Sequence, residues 1–201
     1  LTMGVSLFTS RIVLNTIGIG DFGIYNVVGG VVMMASFINS SMSSATQRFL
    51  SFELGKNNFI QLKKVFCMSI NIHVVIAIAI LLIAETIGLW FLNTKLVIPV
   101  ERMEAANWVY QFSIFSFIIS VLSVPYNASI IAHERMNIYA YISIVEVLLK
   151  LFIVFILLWF GFDKLKLYSL LIFCVALIVF VIYRSYCRYN FSESHYSFLW
   201  D

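Results

Sequence analysis

Charged residues are scarce in this chain: Asp, Glu, Lys and Arg supply 11% of its 201 residues. A soluble domain carries about a quarter, so a globule in water would have to leave much apolar surface uncovered. Cysteine is nearly absent as well. The three present, Cys67, Cys174 and Cys187, fit neither metal-ligand spacing nor a disulfide framework. Each reads as a small apolar residue in or at the end of a helix. Two prolines occur, and no low-complexity linker or repeat of about 20–50 residues divides the chain. One compact bundle is the expectation.

Missing motifs narrow the chemistry. No phosphate-cradling glycine loop occurs, so ATP does not drive this chain on its own. His133-Glu134 lacks a second histidine at zinc-protease spacing, because Asn137 stands there. Gly18, Gly20 and Gly23 follow an apolar span and not a strand, so the dinucleotide-binding reading lacks its context. No Ser, His and acid set can be assigned to catalysis. The net charge of +3 lies beside apolar runs instead of forming a patch, which excludes a nucleic-acid partner. No enzyme activity, metal or cofactor is expected.

What the chain does have is apolar length. Hydrophobic residues make up 62% and the mean hydropathy is +0.97. A membrane helix needs about 20 mostly apolar residues. Six stretches qualify: Leu1 to Gly18, Phe22 to Thr46, Phe66 to Leu92, Trp108 to Ala132 (interrupted by Pro125), Ile138 to Phe162 and Leu165 to Tyr183. An all-α, polytopic membrane bundle of six transmembrane helices follows. Phe49 to Phe66 mixes Phe and Leu with Lys56, Lys63 and Lys64, which suits an interfacial helix broken at Gly55 and Asn57. The tail Tyr189 to Asp201 is likewise polar-aromatic and interfacial.

Basic residues in short loops set orientation. One side carries Arg48, Lys56, Lys63, Lys64, Arg135, Arg184 and Arg188, and the other Lys95, Arg102, Lys164 and Lys166. The richer side is expected to be cytoplasmic.

Polar residues inside the spans repeat at helical spacing. Ser113, Ser116, Ser120, Ser123 and Asn127 share one face of the fourth span, and Tyr139, Ser143, Glu146 and Lys150 one face of the fifth. In the second span Ser36, Ser40, Ser44 and Arg48 lie four apart. The first offers Ser6, Ser10, Arg11 and Asn15. Two readings stay open: close helix packing through small residues, or the wall of a polar cavity. Mid-membrane charge costs at least about 2.5–3.5 kcal/mol on insertion scales, so it faces protein or water. Glu146 and Lys150 can pair on one face, or exchange partners during transport as an ion or proton site. Arg11 pairs across helices or meets an anion, and Arg48 snorkels to the interface or does the same.

Three segments carry a family resemblance. Ser10-Arg11-Ile12-Val13-Leu14-Asn15-Thr16-Ile17-Gly18 through Asp21-Phe22-Gly23-Ile24-Tyr25-Asn26 resembles the first helical hairpin of O-antigen and polysaccharide flippases. So do Ser44-Ala45-Thr46-Gln47-Arg48-Phe49-Leu50-Ser51, with Glu53-Leu54-Gly55-Lys56, and Val124-Pro125-Tyr126-Asn127-Ala128 running into Ile131-Ala132-His133-Glu134-Arg135-Met136. These flippases belong to the multidrug/oligosaccharidyl-lipid/polysaccharide exporter superfamily, whose drug-extruding branch has the same MATE-like lobes.

The resemblance implies the N-terminal lobe of a two-lobed, alternating-access transporter of the bacterial inner membrane, with membrane lipid and a lipid-linked glycan as its partners. Arg11 and Arg48 match the family's arginine-bearing motifs, which implies an anion-binding role. Asn15, Ser40, Ser44, Ser116, Ser120, Ser123 and Asn127 are the expected polar lining, and Glu146 and Lys150 the coupling candidates. Family members are about twice this length, which implies a second lobe of the same chain, or a homodimer partner; the missing initiator Met at Leu1 favours an incomplete chain. The alternatives are a cation-coupled drug exporter, a membrane enzyme of glycan assembly and a non-functional remnant.

Overall fold

A computed structural model describes residues 2–33, 36–159 and 163–194; the side chains at 2–8, 31, 33 and 36–38 are not among those described. Eight α-helices carry the fold among the described residues: α1 (Thr2–Ile17), α2 (Ile19–Met33), α3 (Ser36–Gly55), α4 (Phe59–Ile83), α5 (Leu89–Thr94), α6 (Met103–Ala132), α7 (Met136–Trp159) and α8 (Lys164–Asn190). A π-helical turn, Ala84–Gly88, joins α4 to α5. Short 3-10 turns precede α6 and follow α8. No strand is present among the described residues.

Four segments are long and apolar enough to cross a membrane: Phe59–Thr94, Val100–Ala132, Met136–Trp159 and Lys164–Asn190. They correspond to the last four of the six expected spans, the fifth as far as Trp159. The six-span count is not reproduced among the described residues. Helix α1 has 16 residues, and the expected second span falls across α2, which has 15, and the much more polar α3. The beginning of the first expected span at Leu1 and the end of the fifth at Phe162 lie outside the described residues, as does the tail from His195 onward.

Two further expectations are revised. The segment Phe49 to Phe66 is no separate interfacial helix. Its first part completes α3, Lys56 to Asn58 form a turn, and the remainder opens α4. Asn57 takes the left-handed conformation that Asn tolerates, at φ 53°. The Asn58 side chain then caps α4 by accepting the Gln61 N–H at 3.2 Å. Pro125 does not interrupt its span, since α6 runs through it for 30 residues. In a packed membrane bundle neighbouring groups can satisfy the carbonyl that a proline frees.

Helix α6 is the central post, packed against α8, α3, α4 and α2. The buried face of its first half is mostly small and apolar. Ala105, Ala106, Val109, Tyr110 and Ile114 join Val28, Leu92 and Leu165 in a dry core. At the opposite end Leu50, Leu62, Phe66, Ala128 and Ala132 pack together, and Ile130 packs with Ile142, Tyr183, Cys187 and Phe191. Outward faces of α4 and α7 remain apolar, as at Val75, Leu82, Leu148 and Phe155, which suits a lipid environment.

Candidate functional site

The second half of α6 carries Ser120, Ser123 and Asn127 on one face, turned toward α3, α7 and α8. A cavity of about 490 Å³ opens there. Helix α3 contributes Asn39, Ser40 and Ser43, and α6 contributes Ser120, Ser123 and Asn127 beside Ile119 and Val124. From α7 come Tyr139, Ser143, Glu146 and Lys150, one helical turn apart in succession. Helix α8 supplies an apolar wall, Ile172, Val175, Ala176 and Val179, ending in Tyr183.

Hydrogen bonds fix much of this lining. Asn39 Nδ2 donates to Ser120 Oγ at 2.9 Å and ties α3 to α6. Ser123 Oγ donates to the Ile119 carbonyl at 2.8 Å, and Ser143 Oγ to the Tyr139 carbonyl at 3.0 Å. Both hydroxyl protons are thereby spent within their own helices, leaving oxygen lone pairs as acceptors. Asn39 Oδ1 and Asn127 Oδ1 are buried without a hydrogen-bond partner. An unmet buried acceptor costs about 1–3 kcal/mol, which an incoming donor, with rotation of the amide, relieves.

Lys150 Nζ donates to Glu146 Oε1 at 2.6 Å, the i,i+4 pair that the spacing suggests. Both side chains are part-exposed toward the cavity, 44% for Lys150 and 38% for Glu146. They sit near the midpoint of α7. Two charges there are tolerable because they neutralise one another and face polar space.

Eight of the residues singled out in the sequence share this cavity: Ser40, Ser120, Ser123, Asn127, Tyr139, Ser143, Glu146 and Lys150. Ser44 and Ser116 do not line it. Ser44 Oγ bonds the Ser40 carbonyl at 3.1 Å, and Ser116 Oγ the Phe112 carbonyl at 2.7 Å. Asn15 and Arg11 are exposed on α1, and Arg48 is exposed on α3, all outside the cavity. Among the described residues neither arginine makes an ion pair. Ser6 and Ser36 have side chains outside the description. The residues not singled out were Asn39, Ser43 and Tyr183. The α3 register is the cause: the face that meets α6 is 39/40/43, so a strict four-residue step drifts off it. The apolar-to-Asn change at position 39 is the signal that marks that face.

The loops at either end are tied separately. Arg102 bridges Asp21 at 3.1 Å and Asp163 at 3.2 Å. Lys166 pairs with Glu104 at 2.6 Å, and Lys164 Nζ reaches the Thr16 carbonyl at 3.1 Å. At the opposite end His133 Nε2 lies 2.6 Å from Glu193 Oε1, with the imidazole stacked on Phe191 at 4.0 Å. Burial alone would raise the Glu193 carboxyl. Hydrogen bonds from His133 and its own backbone N–H, the attraction of His133 and a bond from Ser129 outweigh that, and hold it below the usual carboxylate range. No cluster of His, Cys, Asp and Glu with metal-holding geometry occurs among the described residues.

Comparison of the chain with protein-family models, with curated proteins and with solved structures returned no match.

Proposed function

We propose that this chain forms a six-helix, MATE-like lobe of a transporter that flips lipid-linked oligosaccharide across the bacterial inner membrane for surface-polysaccharide assembly. The polar cavity inside an apolar bundle carries this reading. Eleven of its 17 lining residues are polar, in a chain whose outward faces of α4 and α7 are apolar. Serine, asparagine and tyrosine side chains beside the apolar α8 wall suit a cargo with both hydroxyl and C–H surface, such as a glycan moving through a membrane. Rocking of two lobes about a midplane site exposes such a cavity to each side in turn. Arg11 and Arg48, exposed and outside it, are the groups available to the phosphate that joins glycan to lipid.

One observation favours a second reading. Glu146, Tyr139 and Tyr183 line the same cavity, and an acid beside aromatic rings suits an organic cation. That reading is cation-coupled drug export.

Complementation separates the two. The complete gene, expressed in a host whose own polysaccharide flippase is deleted, restores surface polysaccharide. Arg11→Gln and Arg48→Gln each reduce that export at least about tenfold, with membrane insertion intact. Normal export by both variants removes the anion-binding role. Drug resistance conferred on a pump-deficient host, lost in Glu146→Gln, selects the second reading instead.

A further inference from the structure

We infer that the turn between α3 and α4 is a docking surface for the headgroups of anionic phospholipids. The site needs only the membrane spans, and holds whether or not the cargo is a glycan.

Two apolar sides meet at this turn, and the bundle covers one of them. Leu50 and Leu62 face inward and pack with Ala128 and Ala132 of α6. Phe49 and Phe52 near the end of α3, and Phe59 and Ile60 in the first turn of α4, are each more than half exposed, Ile60 at 87%. Exposed apolar side chains are ordinary along a helix surrounded by acyl chains, but these stand at the very start of a span. Lys63 and Lys64 follow them, one turn nearer the bilayer centre. A lysine there keeps its ammonium at the interface by snorkelling, so the rings beyond it lie at headgroup depth or in water.

Length decides between the two. The helical segment Phe59–Thr94 has 36 residues, about 54 Å at 1.5 Å each, against about 40–45 Å across a bilayer with its headgroups. A tilt of about 35–40°, at the upper end of the range for membrane helices, keeps both ends within the headgroup layers. The tilt leans the start of α4 against the membrane surface. Its rings then rest where headgroups meet acyl chains, the level at which aromatic side chains are favoured.

Charge selects the headgroup. Between Ser40 and Phe66 the chain carries Arg48, Lys56, Lys63 and Lys64 against one acid, Glu53. Glu193, in the 3-10 turn that packs on α4, is committed to His133. Lys56 Nζ lies over the Phe52 ring at 4.0 Å, so cation and aromatic form one surface. Among the described residues neither Lys56 nor Lys63 makes an ion pair. A zwitterionic lipid offers the rings the same boundary but gives the lysines no net charge. An anionic phospholipid satisfies both.

The test uses the chain in phosphatidylcholine nanodiscs that hold a small share of phosphatidylglycerol with a diazirine in its headgroup. In the unaltered chain the crosslink is expected on peptides covering residues 49–63, a readout that needs no variant to fold. Unlabelled phosphatidylglycerol competes it away, whereas phosphatidylcholine and inorganic phosphate do not. Lys56→Gln combined with Lys63→Gln weakens lipid retention about tenfold to thirtyfold at low salt, and the difference shrinks at high salt. Arg48 is left in place, because it is also a candidate for the substrate phosphate. Phe59→Ser combined with Ile60→Ser weakens the crosslink and keeps its salt dependence. Equal crosslinking by a phosphatidylcholine probe, or retention unchanged in the lysine variant, means that the rings meet lipid without reading its charge, and overturns the inference. Displacement by inorganic phosphate makes this a site for free anions and overturns it as well. So does the absence of any crosslink on residues 49–63, which puts the turn in water.

Discussion

At the Arg102 end, the starts of α2, α6 and α8 meet in ion pairs that are mostly part-exposed: Arg102 is 43% exposed and Glu104 76%. At the His133 end the acid Glu193 is 5% exposed and held by His133, itself 21% exposed. The first end has more ion pairs, but the second has the drier one. Exposed pairs contribute about 0.2–1 kcal/mol each, and hydrogen bonds to a charged, desolvated group about 1.5–3 kcal/mol. The stability of the Arg102 end must therefore come from the apolar core beneath its charges. The His133 end has apolar packing of its own, from Leu50 to Phe191, and adds to it this drier polar contact. Helix α6 runs between the two; Ala105, Ala106, Val109, Tyr110 and Ile114 face the dry core in its first half, and Ser120, Ser123 and Asn127 face the cavity in its second.

The largest expected effect tests the core under Arg102. Gly88 is needed there because a Cβ would overlap the Tyr110 hydroxyl, which donates to the Ala84 carbonyl at 2.9 Å within the π-turn. Gly88→Ala therefore destabilises by about 1–3 kcal/mol, the range for overpacking. Tyr110→Phe alone loses a hydrogen bond worth about 1 kcal/mol. Combined, the substitutions cost less than their sum, since the clash goes with the hydroxyl. Denaturant titration in detergent reads this directly. Strict additivity would mean that the Tyr110 hydroxyl does not occupy the Gly88 position.

Much of this arrangement is legible in the sequence, and for identifiable reasons. Helices α6, α7 and α8 stand out because apolar runs between charged breaks leave few other structures in a bilayer. Glu146–Lys150 was legible because the helix itself sets an i,i+4 spacing. What failed needed knowledge of partners. Which side of α3 meets α6 depends on packing, so the 36/40/44/48 spacing selected Ser44 where the fold uses Asn39 and Ser43. Gly55 and Asn57 were legible as breakers, but whether they divide one interfacial helix or join two long ones depends on how far α3 and α4 extend. His133 and Glu193, 60 residues apart, become neighbours through tertiary packing alone, and no local pattern announces them.

The next effect tests the dry contact. Glu193→Gln replaces a charged acceptor by a neutral one and costs about 1–2 kcal/mol at neutral pH. The folded state holds this carboxyl below its ordinary value of 4.5. Its contribution is therefore complete above that value and is lost as pH falls through the lower folded value. The stability gap between the parent chain and Glu193→Gln should close on acidification below about 4.5, measured by denaturant titration across that window. A gap that persists unchanged into stronger acid would mean that the Phe191 stack, and not the carboxylate, closes this end.

The smallest effect belongs to Arg102, despite its two acids. Arg102→Gln removes the contacts to Asp21 and Asp163, but all three side chains reach water to some degree, at 43%, 13% and 33% exposure. Exposed pairs of this kind bring a total loss of about 1 kcal/mol. The loss should shrink in high salt, where screening weakens the parent pairs. Asp21 is the driest of the three, so Asp21→Asn should account for more of the loss than Asp163→Asn. Denaturation midpoints for the three variants at low and high salt decide the point. If Arg102→Gln costs more than Gly88→Ala at either salt concentration, charge and not packing holds this end, and the contrast between the two ends is reversed.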